Sequence, residues 1–228
     1  MKTIKVLNLY ACLGGNRYKW DEVAQEGNFK LEVTAVELDP ELARLYQERF
    51  PNDKVIIADA HQYLLDHYKE FDFIWSSPPC PSHTRINISQ KTRDNWKPKY
   101  PSMMLYEEII FLDNFFKGKY CVENVIPYYA PLIPAKKRHR HLYWTNFNLP
   151  NILSKRNGNG LIEKGKIEDL CSFHEIDIST YKGTQSKTKI GRNLVDYEAG
   201  KTIFEVYTGI YQQNQLKNGM LNFDVCTK

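Results

Sequence analysis

Six short runs of apolar and β-branched residues recur along the chain, at about residues 4–10, 31–37, 54–58, 71–77, 119–125 and 140–145. Each is long enough for a buried strand and too short for a buried helix. Between them, at about 16–26, 40–49 and 102–116, apolar residues return at helical spacing. Pro40 ahead of Glu41-Leu42-Ala43-Arg44-Leu45-Tyr46 predicts a helix start, because proline is tolerated in a first turn and the leucines then share a face. Strands alternating with helices predict an α/β fold with a mostly parallel, doubly wound sheet. From Asn146 to Lys189 the pattern is less regular, and Lys155-Arg156-Asn157-Gly158-Asn159-Gly160 is a turn-rich, basic stretch. No internal repeat or low-complexity linker marks a second domain.

Reactive groups interrupt this pattern at three places. The fourth run, Phe71-Asp72-Phe73-Ile74-Trp75, passes into Ser76-Ser77-Pro78-Pro79-Cys80. Each proline fixes its own φ and pushes the residue before it towards an extended conformation, so Cys80 stands on a stiff path beyond a strand end. Open α/β sheets bind ligands beyond the carboxyl ends of their strands. Taken alone, Cys80 reads equally as a loop cysteine in a proline-rich turn. In Cys121-Val122-Glu123-Asn124-Val125-Ile126-Pro127 an acid sits inside an apolar run, where it has either a task or a cationic partner. Lys136-Lys137-Arg138-His139-Arg140-His141 runs directly into Leu142-Tyr143-Trp144-Thr145. On a strand, alternation would put Arg138 and Arg140 on one face and His139 and His141 on the other, and such a run is aimed at phosphate or a polar ligand.

In this order, these residues resemble the DNA cytosine-5 methyltransferases, in which a proline-cysteine loop, a Glu-Asn-Val strand end and an Arg-x-Arg strand follow one another. Val6-Leu7-Asn8-Leu9-Tyr10-Ala11-Cys12-Leu13-Gly14-Gly15 is similar to the family's first motif, a strand entering a glycine turn that holds S-adenosylmethionine. The resemblance makes Tyr10, Ala11, Cys12, Leu13, Gly14 and Gly15 cofactor residues. It adds Glu37 and Leu38 after the second strand, where the acid meets ribose hydroxyls. Asp59 and Ala60 fall beside the adenine, and Pro78 is a further cofactor residue. Arg192-Asn193-Leu194-Val195-Asp196 is similar to the family's Gly-Asn-x-Val segment, so Asn193 and Val195 return to wall the cofactor pocket. The similarity extends from about Lys5 to about Tyr211 and implies a Rossmann-like methyltransferase fold. Residues 1–145 would form the cofactor-binding and catalytic core, 146–189 a short target-recognition region, and 190–228 a helical segment completing the core. The chain departs from the family at Cys12 and Arg192, where glycine is usual, and at Pro81 and Lys136, where glutamine is usual.

The chemistry implied is specific. C5 of cytosine is a poor nucleophile, so the family first adds a thiolate at C6, and Cys80 would supply it. Glu123 would hold the N3 and exocyclic amine edge, while Arg140, supported by Arg138, would hold O2 and a nearby phosphate. Double-stranded DNA would be the partner, with the target base flipped out of the stack. Ser82, Arg85, Arg93, Lys97, Lys136 and Lys137 are expected to contact nucleic acid, the last two from the basic run and Arg93 and Lys97 from the basic, aromatic loop Arg93-Asp94-Asn95-Trp96-Lys97-Pro98-Lys99-Tyr100-Pro101. That loop reads equally as ordinary surface around a buried Trp96. A recognition region of some forty residues implies a short or degenerate site, or a second chain that supplies specificity.

Composition sets the outer bounds. The 228 residues suit one α/β core, and a net charge of +4 suits a polyanionic partner without requiring one. No apolar stretch is long enough to span a membrane, and Met1-Lys2-Thr3-Ile4-Lys5 enters the first strand without a secretory signal, so a soluble, cytoplasmic protein is expected; a bacterial or phage-encoded type is a separate expectation. Five cysteines, at 12, 80, 121, 171 and 226, lack C-x-x-C spacing, so neither a disulfide frame nor a metal site is expected. Three other functions fit parts of the pattern. An RNA cytosine-5 methyltransferase would share the catalytic residues, and a DNA amino-methyltransferase would share Ser77-Pro78-Pro79 without needing the thiol. A non-catalytic cofactor-binding regulatory subunit would explain the departures.

Overall fold

The structure, a computed structural model, describes residues 1–89, 91–92, 94–156 and 165–217. Its centre is a seven-stranded sheet built from β1 (Thr3–Leu9), β2 (Lys30–Glu37), β3 (Lys54–Ile57), β4 (Phe73–Ser76), β5 (Lys119–Val125), β6 (Lys136–Arg138) and β7 (His141–Thr145), in the order β3-β2-β1-β4-β5-β7-β6. Strands β1 to β5 run parallel, while β7 lies antiparallel between β5 and β6. The chain thus winds outward from β1 in one direction, then returns to the other side of β1 through β4.

Side-chain alternation divides the core between the two faces of the sheet. Ile4 and Val6 of β1, Phe73 and Trp75 of β4, Cys121 of β5 and Tyr143 of β7 bury on one face, against α1 (Trp20–Glu26) and the later helix α8 (Tyr197–Thr208). Leu7 and Leu9, Ile74, Val122, Leu142 and Trp144 take the other, against α3 (Ala60–His67) and α5 (Met104–Phe115). Parallel strands buried on both faces read as continuous apolar runs, and this is why the runs of β1, β4 and β5 were visible in the sequence. A third cluster packs Leu42 and Leu45 of α2 (Pro40–Arg49) against Leu13, Ile178, Tyr181, Ile190 and Leu194. The remaining helices are α4 (Ile86–Ser89), α6 (Ile167–His174), α7 (Lys187–Asn193) and α9 (Ile210–Lys217).

Two expectations differ from the structure. The first helix begins at Trp20, with residues 16–19 forming turns. The basic run is a hairpin, not one strand: Arg138 pairs with His141 across a two-residue turn in which His139 has φ +51°. Arg138 and Arg140 therefore do not share a strand face. The interval 146–189 contributes Leu149, Leu153, Leu170, Ile178 and Tyr181 to the buried core.

The turn before α1 is held by a buried charge cluster. Arg17 Nε and Nη2 donate to the two Asp53 carboxylate oxygens at 3.0 and 2.9 Å, and the Tyr46 hydroxyl donates to Oδ2 at 2.8 Å. Arg17 also donates to the exposed Asp21. Both side chains of the Arg17–Asp53 pair are almost fully buried, so removing one partner leaves the other desolvated and uncompensated. Asp53→Ala should therefore destabilise the fold by about 3–5 kcal/mol. A urea titration should show a lower midpoint with an unchanged slope.

Candidate active site

The carboxyl ends of β1 and β4 lie side by side, with Leu9 in register with Ser76, where the winding of the sheet reverses. Loops leaving adjacent strands at such a point diverge and leave a crevice. A cavity of about 1090 Å³ occupies it. The loop after β1 supplies one wall through an unusual backbone: Tyr10, Cys12 and Gly14 have φ of +55°, +47° and +67°. Left-handed conformations are unfavourable for residues with a Cβ, so the turn at Tyr10 and Cys12 persists because its surroundings fix it. The Ala11 N–H donates to the Val36 carbonyl at 3.0 Å, and the Cys12 N–H donates to Glu37 Oε2 at 2.8 Å.

Glu37 ends β2 and also accepts from the Asp39 N–H, at 3.0 Å. Burial raises its carboxyl above the ordinary range, while the backbone donors of Asp39, Cys12 and Leu38 oppose that shift. Beside it, Leu38 is 66% exposed, an apolar surface open to the cavity. Asp39 caps α2 by accepting from the Glu41 and Leu42 N–H groups, and Asp59 caps α3 through Gln62. Glu37, Asp39 and Asp59 thus present acceptors to one half of the cavity. Such a set suits ribose hydroxyls and an adenine amine, and Leu38 and Pro40 suit a planar base, so this half fits S-adenosylmethionine.

The other half is built by the loop after β4. Asn124 Nδ2, buried at the end of β5, donates to the Pro78 carbonyl at 2.9 Å and fixes the proline pair. Beyond it, the His83 and Thr84 N–H groups donate to the Cys80 carbonyl at 2.9 and 3.1 Å. His83 Nδ1 lies 2.6 Å from the Tyr129 hydroxyl. Cys80 and Glu123 both line the cavity, and Glu123 is only 6% exposed. His141 Nε2 sits 3.5 Å from Glu123 Oε1. Burial raises the Cys80 thiol and the Glu123 charge raises it further, while its own backbone N–H and the Lys189 charge pull the other way.

The structure gathers most of the residues singled out from the sequence. Tyr10, Ala11, Cys12, Gly15, Glu37 and Leu38 line the cavity, as do Asp59, Ala60, Pro78, Asn193 and Val195. Two others lie behind the wall. Leu13 is buried in the third core cluster, and a Cβ on Gly14 would strike the rings of Phe50 and Tyr46. Gly15 serves closure: a Cβ there would collide with the Val195 carbonyl oxygen, so the late segment seats directly on the first loop. Arg138 does not line the cavity; it donates to the carbonyl oxygens of Pro150 and Lys137. Arg140 is half-buried in the hairpin turn, outside the cavity lining, and its carbonyl accepts from the Ile126 N–H at 3.2 Å.

The expected nucleic-acid residues scatter. Lys136 Nζ donates to Asn148 Oδ1 at 3.2 Å, Lys137 is exposed on the edge strand, and Arg85 Nε donates to the Pro127 carbonyl. Ser82 Oγ accepts from the Ser102 N–H at 3.0 Å and Lys97 is exposed, while Arg93 lies outside the described residues. Trp96 is half-buried and donates its indole N–H to the Asn87 carbonyl at 2.6 Å.

Sequence reasoning missed a buried hub. Glu108 of α5 is fully buried, and it accepts from the Tyr10 hydroxyl at 2.6 Å and from Ser76 Oγ at 2.5 Å, with His61 Nδ1 3.1 Å away. It ties the loop after β1 to the end of β4. Its hydrogen bond raises His61 above the usual histidine range, and burial together with the Glu108 charge holds the Tyr10 hydroxyl well above its own. The available signal was an acid on the apolar face of α5, beside Leu105, Ile109 and Leu112. His141, Lys189 and Arg192 also line the cavity without having been assigned to it.

Among the described residues, no group of three or more His, Cys, Asp or Glu could hold a metal ion, and no helix is long and apolar enough to cross a membrane. Among solved structures, the methyltransferase EhMeth of Entamoeba histolytica aligns over 95% of this chain and 99% of its own, at 10% identity and a TM-score of 0.51, which shows a shared fold. A mutant of DNMT2 from Spodoptera frugiperda aligns at 26% identity over 54% of this chain, with a TM-score of 0.36, and the match spans 35% of that protein's length. No curated protein matches the chain. The family described as C-5 cytosine-specific DNA methylase matches residues 4–125, just over half of the 228. That span runs from the first strand through the Cys80 loop to the end of β5, and the chain belongs to this family.

Proposed function

We propose that the chain methylates C5 of cytosine in double-stranded DNA, with S-adenosylmethionine as donor and a covalent bond between Cys80 and C6 as the intermediate. The observation that carries this reading is the single cavity shared by two chemically different halves, acceptors at Glu37, Asp39 and Asp59 and a thiol with an acid at Cys80 and Glu123. Bound cofactor would supply an electrophilic methyl group on a sulfonium. Everything else falls to the chain. The Cys80 thiolate adds to C6 while Glu123, beside His141, holds N3 and shares a proton with the ring. C5 becomes enamine-like and takes the methyl group. Loss of the C5 proton to water then restores the double bond and expels Cys80. A base within a duplex cannot reach this depth, so the target is extruded into the cavity.

The thiol carries a burden in this arrangement, because burial and Glu123 both oppose its ionisation. Near neutral pH, Cys80 should react with iodoacetamide more slowly than a free cysteine, and its rate should climb into the alkaline range as the thiolate forms. Removing the Glu123 charge lowers the thiol's pKa, so Glu123→Gln should accelerate alkylation at neutral pH. Peptide mass spectrometry separates Cys80 from Cys12 and Cys171, the other half-exposed cysteines among the described residues whose thiols are raised by burial.

Glu37→Ala should weaken S-adenosylmethionine binding by about 1.5–3 kcal/mol, the value of hydrogen bonds to a charged acceptor. Calorimetric titration measures this directly. Asp59→Ala should weaken binding and also cost about 1 kcal/mol of stability through the lost cap of α3.

DNA carrying 5-fluorocytosine should trap the enzyme in an adduct that survives denaturation, since fluorine cannot leave as a proton does. Cys80→Ser should form no adduct and lose nearly all turnover, because an alcohol does not ionise near neutral pH. Full methyl transfer by that variant, or a methyl group on an exocyclic nitrogen, would overturn the assignment.

A further inference from the structure

The stretch from Ile178 to Val195 holds Lys182, Lys187, Lys189 and Arg192 and no acidic residue. It is fastened to the cofactor side of the molecule by neutral groups. Gln185 Nε2 donates to Asp39 Oδ2 at 2.9 Å, the Lys182 N–H donates to Glu41 Oε1 at 3.1 Å, and the Gln185 N–H donates to the Tyr181 hydroxyl at 2.8 Å. Ile190 and Leu194 bury the apolar side of this segment. Lys187 Nζ is occupied by the Ser179 carbonyl. Lys189 and Arg192, three residues apart on α7, are exposed and line the cavity. Among the described residues, neither has a carboxylate within ion-pair distance. Arg44, a further cation at this cavity, is by contrast held between Glu41 and Glu48.

We propose that Lys189 and Arg192 form a clamp for the phosphates that flank the extruded cytosine, taking the place of contacts expected from the β6 cations. The clamp rests on the function proposed above and extends it to residues at the cavity's edge. Lys189 and Arg192 line the same cavity as Cys80 and Glu123, which brings a phosphate beside an extruded base within their reach. The cofactor half is lined by Glu37, Asp39, Glu41 and Asp59. An extruded nucleotide keeps its flanking phosphates at the rim while its base enters, and two cations one helical turn apart can each meet one.

Binding of a fluorescent cytosine-containing duplex by the full chain, followed by anisotropy across a salt series, tests the clamp. The double variant Lys189→Gln, Arg192→Gln should lower the log-log salt slope by about two. Its affinity should then fall on the order of tenfold less than that of the unaltered chain between about 50 and 200 mM NaCl. Its affinity for S-adenosylmethionine, measured by calorimetry, should not change. Lys117→Gln, exposed at the opposite pole ahead of β5, should leave the slope unaltered. An unaltered slope in the double variant, with the parent chain binding and methylating normally, would overturn the clamp alone. Lost cofactor affinity would reassign the two cations to the donor's carboxylate. Failure of the parent chain to bind and methylate DNA would overturn the underlying function and the clamp with it.

Discussion

Pairing of β1 with two parallel neighbours, β2 on one side and β4 on the other, is the constraint from which the site follows. One strand's carboxyl end must then serve two loops' worth of chemistry, because the chain leaves it towards β2 and returns beside it through β4. Nothing packs across that gap from the sheet itself. The loop after β1 and the loop after β4 are therefore neighbours in space although some seventy residues separate them. Glu108 makes the neighbourhood rigid, since one buried carboxylate receives hydroxyl protons from both strand ends. A buried carboxylate with several donors is costly to disturb, so the two halves of the cavity are positioned as one unit.

Much of this was legible because the signals were local. Buried parallel strands announce themselves as unbroken apolar runs, and Pro40 and the Pro78-Pro79 pair restrict the backbone wherever they occur. The glycine turn and the Glu-Asn-Val strand end are also short patterns, and the structure brings Glu37, Cys80, Glu123 and Val195 to one cavity. The hairpin at 138–141 was not legible for a physical reason. Tight turns usually declare themselves through glycine or asparagine, whereas here His139 takes the positive φ. Without that marker, the basic run and the following apolar residues read as one strand.

The remaining omissions were not local at all. Glu108 becomes meaningful only when Tyr10, Ser76 and His61 arrive around it from three other elements. Arg17 and Asp53 are likewise ordinary charges in sequence and a buried bidentate pair in the fold. Lys189 and Arg192 lie on a short helix that follows a stretch, around Lys182 and Gln185, whose path over α2 no periodicity encodes. Patterns of spacing report elements; they do not report which distant side chains an element will meet.

The seating of Val195 on Gly15 gives the molecule a temporal asymmetry. A ribosome delivers residues 1–145, with the whole sheet, well before the segment that closes the first loop. Until then, the glycine turn and the thiol half face an open groove without their final wall. The nascent chain can assemble its sheet early, but the first loop gains its final wall only when the segment around Val195 docks on Gly15, so the cavity is the last part of the fold to take shape.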